Sequence, residues 1–389
     1  MTVERVLLAS PRGFCAGVEM AIKALAWMVR VFEPPVYCYH EIVHNRYVVS
    51  RFEEHGVVFV DDVGQVPAGA PLMLSAHGSA PDVVEIARSE GRAVVDAVCP
   101  LVTKVHHELQ VRARRGYTIL YVGHEGHEEA VGTMAVAPEA VRLVRTDEDV
   151  DVAAGRLAAG TEVALLAQTT LSHDEWSSVM EHAKALFPDI WMPNRSDLCF
   201  ATTNRQAALK SIAARSDAVV VIGSDNSSNT RALEKVARAA GAGRVLRVNG
   251  PGELPDDLTG VVGVTAGASA PDELVDAVVD ALSPERGVEE VRVIEEDEYF
   301  PPPAELRDLA RGLAGALALG LGAPAPGSLA PLGAAPVSGA PAGAAAVRRD
   351  TPAAGSRSEG GAAGATGARG PFTGDRHVSA ADVLASLSN

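Results

Sequence analysis

Two stretches of the chain begin alike and stay in step. Cys99 opens "CPLVTKVHHELQVRARRGYTILYVGHEGHEE", and Cys199 opens "CFATTNRQAALKSIAARSDAVVVIGSDNSSN". Gly123 follows the first cysteine by 24 positions and Gly223 follows the second by 24 (123 − 99 and 223 − 199). Thr103 and Thr203 each lie four places after their cysteine, and both Cys99 to Thr169 and Cys199 to Ser269 span 70 (169 − 99 and 269 − 199). In this register His127 falls where Ser227 falls, and Glu129 where Asn229 falls. Such self-similarity requires each copy to fold as the same supersecondary unit.

The beginning of the chain fits the pattern more loosely. In "RVLLASPRGFCAGVEMAIKALAWMV" a short apolar strand leads to Cys15 and then to apolar residues at helical spacing. Gly13 and Gly17 flank that cysteine and permit close backbone approach. A later strand, "VYCY", delivers "HEIVHN", and another delivers "SAHGS". His44 follows Cys15 by 29 positions, against 28 from Cys99 to His127 (44 − 15 and 127 − 99). The recurring unit is a strand, a cysteine, a helix, and two more strands ending in polar residues. Alternating strands and helices predict an α/β fold with mainly parallel sheets up to about residue 300. Ligands of open parallel sheets bind beyond the carboxyl ends of the strands. Three such ends around one axis would bring Cys15, Cys99 and Cys199 together among His, Thr, Ser, Asn and Glu. Cys38 sits inside an alternating strand with no helix after it, and is assigned to packing.

Composition narrows the function classes. A net charge of −16 and an aromatic share of 4% argue against a nucleic-acid surface, which favours basic patches and stacking rings. No uninterrupted apolar run reaches the roughly 18–20 residues needed to cross a bilayer, and no cleavable leader is apparent, so a cytoplasmic protein without membrane partners is expected. Four cysteines without a CxxC pair suit metal or catalytic use in a reducing compartment. From about 320 to 376 the chain is Ala, Gly and Pro with almost nothing to form a core, which predicts disorder. The final "SAADVLASLSN" predicts one short helix capped by Ser379.

Three thiolates from separate units leave three readings open on chemistry alone: a substrate-binding iron–sulfur cluster, zinc, or unrelated cysteines. Around them, Ser227, Ser228 and Asn229 stand where a strand turns into a helix, a setting suited to phosphate. Ser269 holds the same place later, and His44 and His77 would add donors. Arg and Lys are scarce near these motifs, so an anionic ligand would rest mainly on neutral donors. Glu129, flanked by His127 and Thr169, is a carboxyl group at a repeat-equivalent strand end and a candidate general acid.

Taken together, "PRGFCAGV", "HEIVHNRYVV", "SAHG", "CPLVTKVH", "GHEGHEEAVGTM", "QTTLS", "CFATTNRQ", "GSDNSSN" and "GVTAGASAP" resemble the 4-hydroxy-3-methylbut-2-enyl diphosphate reductase family in order, over residues 1 to about 300. The resemblance implies a trefoil of three pseudo-threefold related α/β modules around a central cluster. Its modules would be residues 1–98, 99–196 and 197–310, with a low-complexity tail at 311–389. It further implies one [4Fe-4S] cluster held by Cys15, Cys99 and Cys199, with the substrate hydroxyl approaching the open iron. The diphosphate would be held by His44, His77, Ser227, Ser228, Asn229 and Ser269. Glu129 would supply protons, with His127 and Thr169 in the same relay, and a ferredoxin or flavodoxin would bring electrons. The chain departs from the family's usual "HPEVEGT" by reading "HEEAVGT", which places Glu128 at the proline and Val131 at a second carboxylate. An open cluster iron, able to act as a Lewis acid, also admits a redox-neutral dehydratase, and that loop and the tail admit a non-catalytic iron–sulfur sensor.

Overall fold

The computed structural model describes residues 2–320 and 378–387. Its strands, in chain order, are β1 (Thr2–Ser10), β2 (Val36–Tyr39), β3 (Val57–Val60), β4 (Pro71–Leu74), β5 (Ala93–Asp96), β6 (Thr118–Val122), β7 (Val141–Val144), β8 (Val163–Ala167), β9 (Ala218–Ile222), β10 (Val245–Val248), β11 (Thr259–Ala266) and β12 (Val288–Arg292). The α-helices are α1 (Ala16–Val31), α2 (Arg46–Glu53), α3 (Pro81–Ser89), α4 (Pro100–Arg114), α5 (Glu128–Met134), α6 (Asp147–Ala154), α7 (His173–Leu186), α8 (Phe200–Ala213), α9 (Ser228–Ala239), α10 (Asp272–Leu282), α11 (Ala304–Gly320) and α12 (Ala380–Ser386). The expected α/β class is what the chain adopts.

The strands form three separate sheets, ordered β3-β2-β4-β5, β7-β6-β8 and β10-β9-β11-β1-β12. Every strand pair is parallel, so each neighbour needs a crossover, and helices supply most of them. Strands covered on both faces lose the apolar–polar alternation, and "VALLA" of β8 and "AVVVI" of β9 are buried at every position. Burying each such Val, Ile or Leu contributes roughly 1.5–3 kcal/mol relative to leaving it in water. Sheet membership is not sequential at the N-terminus: β1 pairs with β11 on one side and β12 on the other. The strand that introduces Cys15 thus belongs to the sheet of the last repeat. Cys38 lies fully buried in β2 between Phe59 and Met73, in the packing position expected of it.

By compactness the chain divides into a main unit, Met1–Leu306 with Arg376–Asn389, and a second, Arg307–Asp375. Residues 321–377, most of the stretch expected to be disordered, lie outside the described residues. Helix α12 forms where the sequence predicts, with a capping box in which Ser379 Oγ accepts from Asp382 N–H. It packs on α1, burying Ala380, Val383 and Leu384. Ala380 N–H donates to Glu19 Oε2 at 2.8 Å, and Arg51 donates to Leu384 O at 3.0 Å. Among the described residues, no helix is long and apolar enough to cross a membrane.

Candidate active site

Cys15, Cys99 and Cys199 are the N-caps of α1, α4 and α8. Each is pinned by the same pair of bonds. Its carbonyl accepts from the residue four places on: Glu19 at 2.8 Å, Thr103 at 3.0 Å, Thr203 at 3.1 Å. Its amide donates to the end of a strand in another repeat: Cys15 to Ala268 O at 3.2 Å, Cys99 to Ala76 O at 3.0 Å, Cys199 to Thr169 O at 3.0 Å. These three bonds around a ring are the pseudo-threefold arrangement made visible in the backbone. The helix N-terminus adjacent to each sulfur favours negative charge there.

All three cysteines line one cavity of about 110 Å³. Gly13, at φ +67°, turns the backbone into the Cys15 loop, and a methyl group at Gly17 would stand 2.9 Å from Cys99 Sγ and 3.9 Å from Cys15 Sγ. Burial and then the neighbouring Cys15 push the Cys199 thiol up to about 11, and burial and then Cys15 drive Cys99 well above the ordinary thiol range. Cys199 Sγ also accepts from Thr202 N–H at 3.2 Å and lies 2.9 Å from Thr202 Oγ1. The donor set and the space kept by Gly17 fit a thiolate-held iron–sulfur group.

The cavity wall contains eleven of the twelve residues singled out from the sequence: the three cysteines, His44, His77, His127, Thr169, Ser227, Ser228, Asn229 and Ser269. Glu129 is the exception. It is 2% exposed and sits behind Thr169, whose amide donates to Glu129 Oε1 at 2.7 Å and whose hydroxyl donates to Oε2 at 3.0 Å. Burial outweighs these bonds and pushes the carboxyl up to about 7. His127 caps α5, and its Nδ1 accepts from Glu129 N–H at 3.2 Å, which leaves the proton of the neutral ring on Nε2. Burial, with His77 and His44 nearby, holds His127 down to about 3. Three imidazoles cluster here: His44 stacks on His77 with ring centres 4.1 Å apart, and His127 meets them edge-on at 5.4 and 6.1 Å. Glu128 Oε2 lies 2.8 Å from His77 Nδ1. Burial opposes the ionisation of Glu128, but His77, His44 and His40 outweigh it and hold the group at about 2.

The opposite wall is neutral. Ser227 caps α9, its Oγ accepting from Thr230 N–H at 3.3 Å, so its own proton remains available to a ligand. Asn229 Oδ1 accepts from Ala268 N–H at 3.0 Å while Nδ2 donates to Thr202 Oγ1 at 3.3 Å. Ser269 Oγ donates to His44 O at 2.9 Å, a bond that commits its proton to the backbone. Neither Lys nor Arg lines the cavity.

Several supporting residues leave little or no signal in the sequence. Gln168 Oε1 accepts from His124 N–H at 2.9 Å, and its amide donates to Thr170 Oγ1 at 2.8 Å and Ser228 Oγ at 3.3 Å. Arg205 is almost wholly buried and donates to Gly13 O at 2.9 Å, Phe14 O at 3.0 Å and both oxygens of Glu296 at 3.0 Å. It ties the helix behind Cys199 to the loop before Cys15. An arginine six places after Cys199, within the helix, is its one trace in the sequence. Phe300 closes one side, edge-on to Phe200 at 6.4 Å.

The model of the family described as "LytB protein" matches residues 6–283. The chain belongs to the LytB family. A LytB relative from Rhodopirellula baltica, named 4-hydroxy-3-methylbut-2-enyl diphosphate reductase, is 46% identical over 315 residues, covering 80% of this chain and 98% of its own. One from Streptomyces coelicolor with the same name is 46% identical over 309 residues, 78% of this chain and 90% of its own. Among solved LytB-type structures, the E-1-hydroxy-2-methyl-but-2-enyl-4-diphosphate reductase of Plasmodium falciparum superposes with a TM-score of 0.76 at 31% identity, covering 80% of this chain and 99% of that one. The family expected from nine short motifs is thus the one whose model matches residues 6–283.

Proposed function

We propose that this LytB chain removes the hydroxyl of (E)-4-hydroxy-3-methylbut-2-enyl diphosphate reductively, giving isopentenyl and dimethylallyl diphosphate, the last step of the methylerythritol phosphate route to isoprenoids. One observation carries this reading: three helix-capping cysteines, a buried acid behind a threonine, and a row of neutral donors all meet in one cavity. Cys15, Cys99 and Cys199 would hold one [4Fe-4S] cluster with three cysteine ligands. When bound, that group supplies electrons one at a time and a Lewis-acidic iron without a protein ligand. The balance is two electrons and two protons in, with water and the C5 diphosphate out.

The residues of the chain supply the rest. Ser227 O–H, the Asn229 side-chain amide, His127 Nε2–H, His44 and His77 would bind the diphosphate, helped by the free amides at the start of α9. Ser228, held by Gln168 and His124, completes that wall. Ser269 acts mainly by fixing His44 through its backbone. Phe200 and Phe300 keep water from the hydrocarbon end.

Proton supply runs through Thr169. With its carboxyl group near 7, Glu129 is substantially protonated at neutral pH. A protonated Glu129 donates to Thr169 Oγ1, which frees the threonine's own proton to point into the cavity. The carboxylate left after transfer keeps both Thr169 bonds. General acid catalysis of this kind contributes about 10²–10⁴ in rate. Electrons would arrive from a ferredoxin- or flavodoxin-type carrier, in a cytoplasmic setting. The test is anaerobic: the cluster-containing protein, the allylic diphosphate and a chemical reductant should yield both C5 products, and none without reductant. Product formed without reductant would mean a dehydratase, and a bound cluster with no turnover would mean a sensor.

A further inference from the structure

On the reductase reading, electrons must enter from outside, and two surface cavities abut the segments that carry the cysteines. One, of about 490 Å³, is lined by Phe14 and Ala16 on either side of Cys15 and by Phe200 next to Cys199. Its charged side chains are Glu19, Glu296, Asp297, Glu298 and Asp382 against Lys23, and α12 forms part of its wall. The other, of about 400 Å³, lies between α4, the helix that Cys99 caps, and the segment that leads into Cys199. Its charged side chains are Lys104, Arg112 and Arg195 against Glu108.

The basic cavity is held firmly. The Arg112 guanidinium lies 3.7 Å over the Trp191 ring, with Glu108 at 3.7 Å, and its Nε is buried without a hydrogen-bond partner among the described residues. The backbone of Trp191 is fixed to β8: its N–H donates to Val163 O and its carbonyl accepts from Leu165 N–H, both at 2.9 Å. Lys104 Nζ donates to Asp197 Oδ1 at 3.0 Å and to Arg195 O at 3.4 Å, tying α4 to the Cys199 segment. Arg115 ends α4 on the face that Lys104, Glu108 and Arg112 share, since helical neighbours recur every three or four residues. Arg115 and Arg195 are exposed, and among the described residues neither has an ion-pair partner. Such uncompensated cations stand out in a chain of net charge −16.

We propose that the cavity between α4 and residues 191–195, with Arg115 beside it, docks an acidic one-electron carrier protein. Sign decides between the two cavities: the carboxylates of the first would repel a partner that the cations of the second attract. Complementary charge steers encounter and fixes orientation, and Trp and Arg are among the residue types that most often carry interface energy. Position agrees. Lys104 is five residues beyond Cys99, a rise of about 7.5 Å along α4. Arg195 is four residues before Cys199, at most about 14 Å of chain. The docking cavity shares no lining residue with the cavity of the three cysteines, so a seated carrier leaves the substrate's place free.

The test uses the cluster-containing full chain and an acidic flavodoxin, reduced anaerobically. Arg115→Glu combined with Arg195→Glu should raise the KM for flavodoxin about tenfold or more at low ionic strength, and the gap should narrow as salt is added. Turnover driven by reduced methyl viologen, a small donor that needs no docking face, should be unchanged. Arg215→Glu combined with Arg286→Glu makes the same change of net charge at other exposed positions and should shift the flavodoxin KM by about twofold or less. Should the charge reversals disturb folding, Arg115→Gln with Arg195→Gln keeps the comparison, with a rise of about threefold expected. Equal shifts in the two double variants, or none in either, overturn the docking site. Flavodoxin-to-cluster electron transfer, followed by the cluster's visible absorbance without substrate, separates this site from the reductase reading. Transfer slowed by the Arg115 and Arg195 changes, in a protein that turns over no allylic diphosphate, upholds the site and removes the reductase reading. Viologen-driven turnover, with flavodoxin transfer indifferent to those changes, removes the site alone.

Discussion

The N-termini of α5 and α9 occupy equivalent places in two repeats and use one geometry for two kinds of chemistry. Each is capped by a side chain that accepts a backbone amide: His127 from Glu129, Ser227 from Thr230. In each, the second helical residue reaches the end of the next strand in its sheet. Glu129 Oε1 accepts from Thr169 N–H at 2.7 Å, and Asn229 Oδ1 accepts from Ala268 N–H at 3.0 Å. The acceptor bond is shared. The remaining atom differs: Oε2 of Glu129 can carry a proton toward Thr169 Oγ1, while Nδ2 of Asn229 donates to Thr202 beside Cys199. A single O-to-NH₂ exchange, with one methylene, separates a proton source from a fixed neutral donor. The lesson is that the repeat preserves where a side chain is held, and the residue type sets what it does there.

Removing the hydroxyl that joins Glu129 to the cavity should cause a large loss of turnover. Thr169→Val is expected to lower kcat by roughly 10²-fold, within the range for general acid catalysis. In the wild type kcat should fall as pH rises through about 7, because the donor must be protonated, and this limb should vanish in Thr169→Val. A steady-state pH profile of both proteins checks this, and an unchanged profile would detach Glu129 from proton supply.

Stability should report the same group with its sign fixed. The folded-state value near 7 lies above the ordinary carboxyl value of 4.5. Folding therefore favours the protonated form, and that contribution is complete below about 4.5 and lost as pH rises through about 7. Glu129→Gln removes the loss, so above pH 7 it should be more stable than wild type by up to about 3 kcal/mol. Urea unfolding at pH 5 and pH 8 measures the difference, which should shrink to about 1 kcal/mol at the lower pH. The neutral partner, Asn229, should show no such pH dependence on replacement.

The cap at α9 gives the smallest effect. Ser227→Ala should cost about 1 kcal/mol of stability through the lost bond to Thr230 N–H, and should also weaken inorganic pyrophosphate binding about tenfold or less. Calorimetric binding with the cluster in place reads the second effect. Unchanged affinity would move Ser227 from the proposed anion site to a purely structural cap.

Much of this comparison is legible in the amino-acid sequence, because matched spacing records matched position. The equal intervals Cys99–Thr169 and Cys199–Ser269 pair the strand ends, and the placement of His127 against Ser227 pairs the caps. Spacing is silent about atoms. It presents Ser269 as a ligand donor but not the 2.9 Å bond its hydroxyl makes to His44 O. It places Glu129 among cavity residues, whereas Thr169 stands between. Contacts such as Arg205 with Gly13, 192 residues away, leave no periodic mark. The place of β1 in the sheet of the last repeat is likewise a long-range choice, made by pairing with β11 and β12 rather than by local propensity. The short edge strands β7 and β10 each carry an arginine among three apolar residues, so their pattern is weaker than that of the central β9.

The most direct measurement compares Glu129→Gln with Asn229→Ala in anaerobic steady-state turnover of the allylic diphosphate. The account predicts that Glu129→Gln lowers kcat by about 10²–10⁴ with KM little changed, while Asn229→Ala chiefly raises KM. Both variants losing kcat and KM in parallel, or Glu129→Gln acting on KM alone, would contradict the division between a proton-supplying and an anion-binding helix start.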